Sequence, residues 1–87
     1  MNELQYLREN INSIDTQLLE LLGKRFEVVK KVGNWKKENG ITQPLDEKRW
    51  NELLANNIKV GREKGLSSKF ITDIWNRIHE EALKLEK

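Results

Sequence analysis

Residues 4–35 read LQYLRENINSIDTQLLELLGKRFEVVKKVGNW. Leu4, Leu7, Ile11, Ile14, Leu18, Leu21, position 25, Val28, Val32 and Trp35 follow one another in steps of three and four. That alternation is a heptad seam, kept up for more than four heptads without a proline. Gly33 is its weak point, costing about 1 kcal/mol against alanine in a helix interior. The pattern predicts one helix from about residue 3 to about residue 38, stopped by Asn39-Gly40. At about 1.5 Å per residue it is roughly 50 Å long. The rest of this chain is too short to cover it alone, so a partner chain is expected.

Outward from that helix the punctuation is sparse. Ile41-Thr42-Gln43-Pro44-Leu45 reads as a short loop, and Asp46 is placed to cap a second helix with Glu47 in its first turn. Trp50, Leu53, Leu54, Ile58 and Gly61 give that helix an apolar face running to about Glu63. Lys64-Gly65-Leu66 breaks it, and Ser67 or Ser68 caps a third helix. Its apolar positions are Phe70, Ile71, Ile74, Trp75, Ile78, Ala82 and Leu83. The three tryptophans read as packing residues, with Trp50 a candidate to shape a cavity mouth. The expected fold is all-α, with three helices per subunit, the first very long, and residues 1–87 forming a single domain.

Composition narrows the class. At 87 residues without cysteine, there is neither a disulfide framework nor a thiolate metal site to stabilise a small core. Sixteen basic against 14 acidic residues leave a net charge of +2, too balanced for the basic stripe of a nucleic-acid binder. No run of about 18 apolar residues suggests a membrane span. The first residues lack the features of a secretory signal, so the expected location is cytoplasmic.

Four residues break the pattern. Arg25 stands where the seam calls for an apolar side chain, and a buried guanidinium needs an anion. That anion is either an internal carboxylate or a bound ligand, and spacing alone leaves both open. Lys36 lies eleven residues on, close to three full turns, so it shares Arg25's face about 16 Å along the axis. Together they can grip a small polyanion, although Lys36 also sits among solvated lysines. Arg8 precedes Arg25 by 17 residues, about 25 Å, and cannot meet it within one helix. In an antiparallel pair it can reach the middle of its partner. His79, the one histidine, has no second histidine four residues on and reads as a partly exposed structural residue. No phosphate loop, nucleophile elbow or triad is present, so an enzyme built on this chain works by positioning and electrostatics.

Taken in order, three sets of residues resemble the AroQ-class chorismate mutases. Leu7-Arg8-Glu9-Asn10-Ile11 through Asp15, Leu18 through Arg25, and Val32-Gly33-Asn34-Trp35-Lys36 resemble that family's first helix. Pro44-Leu45-Asp46-Glu47-Lys48-Arg49 is similar to its loop and second-helix start. Gly65 through Ile71, with Ile78-His79-Glu80-Glu81-Ala82, is similar to its third helix. The resemblance implies an intertwined helical homodimer with two equivalent sites and no cofactor or metal. Arg25 and Lys36 would line one site, and Arg8 would enter it from the other subunit. The two arginines would hold the carboxylates of chorismate. Lys36 would reach a carboxylate and the ether oxygen, and Asp46 and Arg49 would sit near the ring hydroxyl. The implied reaction is the pericyclic conversion of chorismate to prephenate, a step of phenylalanine and tyrosine biosynthesis.

The chain departs from the family pattern at three positions. Trp50 stands where a glutamate follows the arginine, and Glu52 is about 200° away round the helix. Ring recognition is then expected to rest on Asp46 and backbone groups. Ala82 replaces a small hydroxyl residue. Glu86 aligns with a glutamine that donates to the ether oxygen; an ionised carboxylate only accepts, so Glu86 would serve only when protonated. The competing reading of Glu86 is a glutamate frayed into solvent. Two other functions share these features. One is an isochorismate-pyruvate lyase on the same scaffold. The other is a weakly active helical dimer that binds, and is activated by, a shikimate-pathway partner enzyme.

Overall fold

The computed structural model describes residues 2–42 and 46–86. Gln43, Pro44 and Leu45, part of the expected loop, lie outside the described residues. Three helices account for nearly all of the rest: α1 (Glu3–Glu38), α2 (Glu47–Glu63) and α3 (Ser68–Glu86). The fold is all-α, as the seam and its flanking faces predicted.

The turns between helices and the start of α1 have local chemical causes. The Asn2 side chain accepts the Gln5 N–H at 2.8 Å and starts α1. At its other end Gly40 takes a positive φ of 72°, and Ile41 N–H donates to the Lys36 carbonyl. Gly65, with φ of 86°, closes α2 in the same way, Leu66 N–H donating to Gly61. Of the two candidate caps for α3, Ser67 is the one used: its Oγ accepts the Phe70 N–H at 3.1 Å.

α3 packs on both other helices, whereas α1 and α2 do not pack directly on each other. α3 is therefore the hub. Its contact with α2 is made close by Gly61, where a Cβ would stand 2.8 Å from Ile71. Ile71 is 3% exposed and, with Ala82, forms the buried apolar core among the described residues. Phe70, expected on the same face, is half exposed, because one residue's step turns it about 100° away from Ile71. Gly33 also gains a reason. A Cβ there would lie 2.9 Å from the Glu86 Cα, so glycine lets the last turn of α3 rest on the α1 backbone.

The first half of α1 has no such cover. Every residue from Asn2 to Leu21 is exposed, including Leu4, Leu7, Ile11, Ile14, Leu18 and Leu21. The molecule measures 58 × 24 × 15 Å with a radius of gyration of 16.5 Å. A compact chain of this length would have about 12 Å. No described helix is long and apolar enough to cross a membrane.

Candidate active site

Because α1 and α2 meet only through α3, a gap remains between them, and it is a cavity of about 170 Å³. α1 contributes Arg25, Val29, Val32 and Lys36, residues four, three and four apart that form one stripe. The start of α2 contributes Asp46, Arg49, Trp50 and Leu53. α3 contributes His79, Ala82 and Glu86, again one stripe at helical spacing.

Arg25 is half-buried here, and its Nη1 is shut off from water without a hydrogen-bond partner among the described residues. It makes no ion pair with any described residue. The arginine in the seam lines the cavity instead. Burial, and then the Arg49 guanidinium, both hold Arg25 below the ordinary arginine value. It remains a cation, because guanidinium does not lose its proton in proteins.

Asp46 both starts α2 and lines the cavity. One of its carboxylate oxygens accepts the Arg49 N–H at 3.1 Å, so the cap also fixes where these two residues stand. Glu52 is exposed and does not line the cavity, in line with its position round the helix.

Glu86 is not frayed. Its Oε1 accepts from Lys36 Nζ at 2.8 Å, and the two side chains are 10% and 20% exposed. An acid and a cation 50 residues apart thus meet at the cavity. Their shelter sets this pair apart from the surface pairs, such as Lys69–Asp73, which solvent screens.

His79 is the residue sequence reasoning did not place in the site. It is partly exposed, as expected, but it faces the cavity and stacks on Trp50, ring centroids 4.0 Å apart and planes 18° from parallel. Burial lowers its pKa from the ordinary 6.5; Glu86 opposes that shift and Arg25 adds to it. The signal was present in spacing, since residues 79, 82 and 86 share a helix face. Ala82, 7% exposed, lines the cavity beside it in the same stripe.

Arg8 is not brought to this cavity. It is exposed, in the uncovered half of α1. The structure thus gathers Arg25, Lys36, Asp46, Arg49, Ala82 and Glu86 and leaves Arg8 apart.

Among the described residues the cavity has three cations, two carboxylates and one imidazole on an apolar wall, the equipment for a small organic anion. The family model for chorismate mutase type II matches residues 7–87. A T-protein of Enterobacter agglomerans is 36% identical over 84 residues, 97% of this chain and 22% of that protein. A bifunctional chorismate mutase/prephenate dehydratase of Buchnera aphidicola is 33% identical over 87 residues, 99% of the chain and 22% of that protein. A T-protein of Haemophilus influenzae is 32% identical over 82 residues, 94% and 22% respectively. The chain therefore spans about a fifth of the length of these relatives. Its three-helix frame, its cation-lined cavity and a match over nearly its whole length agree: the chain belongs to the chorismate mutase type II family.

Proposed function

We propose that this chain converts chorismate to prephenate in the cavity between its helices, as a cytoplasmic homodimer in aromatic amino acid biosynthesis. The observation that carries the reading is Arg25. A half-buried guanidinium with an unpartnered Nη1, facing a second guanidinium and near Lys36, is stabilised only when an anion enters. Chorismate is a dianion. Its rearrangement is concerted, needing no nucleophile or cofactor, only the compact conformer and donors where negative charge grows on the ether oxygen.

In this reading Arg25 holds one carboxylate in a bidentate grip, and Arg8 of the second subunit holds the other. Lys36 turns from Glu86 to the substrate's carboxylate and ether oxygen. Asp46 and Arg49 close the mouth. Glu86, released from Lys36, faces the ether oxygen, to which it can donate only as the neutral acid. A rate that is flat between about pH 5 and pH 8, and unchanged in Glu86→Gln, would remove Glu86 from the mechanism.

The second subunit is supported by the bare apolar row on α1, which a second copy of the same helix matches in length and periodicity. The test of function is the loss of chorismate absorbance with purified protein, prephenate being identified in the products. Prephenate formation that disappears in Arg25→Ala supports the proposal. Pyruvate released from isochorismate, with no prephenate from chorismate, replaces it with the lyase. Turnover that rises only when a shikimate-pathway enzyme is titrated in would assign the chain to the partner-activated class.

A further inference from the structure

We infer that His79, held by Trp50, is the group that recognises the ring hydroxyl of the substrate and so decides which cyclic dicarboxylate the cavity turns over. The inference rests on the mutase reading and adds a specificity residue to it.

The argument starts from what the lining can offer. Arg25, Lys36 and Arg49 only donate hydrogen bonds, and ionised Asp46 and Glu86 only accept them. Chorismate presents two carboxylates and an ether oxygen, all acceptors, which the cations match. It also presents a hydroxyl, which donates and accepts at once. Among the described lining residues neutral imidazole does both, and Glu86, which could do so as the neutral acid, is assigned to the ether oxygen in this reading. Asp46, the other candidate, already has one oxygen committed to the Arg49 N–H of the helix cap.

Geometry agrees with chemistry. Stacking on Trp50 at 4.0 Å uses a face of the imidazole and fixes its plane. Both ring nitrogens lie in that plane, at the edge, and neither has a hydrogen-bond partner among the described residues. The ring is therefore rigid but chemically unspent. Burial and Arg25 favour its neutral form, against the pull of Glu86. The charged groups around it are Arg25 and Lys36 from α1, Asp46 and Arg49 from α2, and Glu86 from its own helix. Ala82, one turn on, leaves space for a ligand beside the ring.

The experiment compares kcat/KM for chorismate and for an analogue lacking only the ring hydroxyl, in the wild type, His79→Ala and His79→Gln. The wild type is expected to prefer chorismate by about tenfold or more, the scale of one buried hydrogen bond left unmade. His79→Ala should lose that preference by slowing on chorismate while keeping its rate on the analogue. His79→Gln, whose amide still donates and accepts, should recover part of it. If His79→Ala folds poorly, His79→Leu takes its place, since it fills the stack without a polar atom. Equal losses on both substrates would make His79 a packing residue and overturn the inference. So would a wild type indifferent to the hydroxyl. A wild type that turns over neither compound would instead defeat the mutase reading, and this inference with it.

Discussion

Arg25 combines a cost to the fold with a proposed role in the site. It lies near Arg49, and one of its nitrogens has no hydrogen-bond partner among the described residues. Replacing it with an apolar side chain of similar length removes a strain rather than a contact. Arg25→Met is therefore expected to keep or raise the thermal midpoint of the free protein while lowering kcat/KM by roughly 100- to 1,000-fold. Paired melting curves and steady-state rates check both halves at once. His79 gives a prediction of different sign. Its folded pKa lies below the ordinary 6.5, so between these two values the unfolded chain binds more protons. Stability should be full above about pH 7 and fall as the pH drops through that window. Urea midpoints at about pH 7.5 and pH 5.5 should differ by less in His79→Gln than in the wild type. Arg25 was legible in the sequence because a charge in an apolar seam contradicts its surroundings. His79 was not, because nothing beside it in the chain is unusual, and its stacking partner Trp50 is 29 residues away.

At the scale of the helices, boundaries were legible and close approaches were not. Caps and stops are local chemistry: Asn39-Gly40, Asp46, Gly65 and Ser67 each satisfy backbone groups within a few residues of themselves. The seating of α3 on α1 at Gly33 is not local, and the sequence offers only a glycine that looks like a flaw. A matched pair of substitutions separates the two meanings of a helical glycine. Gly23 has nothing within 4 Å of a new Cβ and lies two residues past Leu21, away from the seam. Gly23→Ala should stabilise by about 0.5–1 kcal/mol. Gly33→Ala gains the same propensity but drives a methyl into the Glu86 backbone, a clash of about 1–3 kcal/mol. It should lower the melting point or leave it level, and it should slow turnover, because the last turn of α3 must move and take Glu86 away from Lys36. Chemical denaturation and chorismate kinetics on both variants read the difference.

For the whole molecule the uncovered row on α1 is decisive, and it was the most legible feature of all, since a heptad seam names the kind of cover it needs. Ile14→Asp, in the middle of that row, should prevent cooperative folding at micromolar concentration, as seen by circular dichroism and sedimentation. The proposed sharing of the site allows a sharper test. If Arg8 serves the other subunit's cavity, Arg8→Ala and Arg25→Ala are each inactive alone. Unfolded together in equal amounts and refolded, half of the dimers are mixed and each has one intact site. About a quarter of the wild-type activity should return. No recovery would place both arginines in the same subunit's site. The bare half of α1 also governs kinetics. In the proposed homodimer a lone helix finds no cover until a second one arrives, so its ordering waits for an encounter between chains. Refolding should then be second order, slowing about tenfold on tenfold dilution, whereas unfolding keeps its rate.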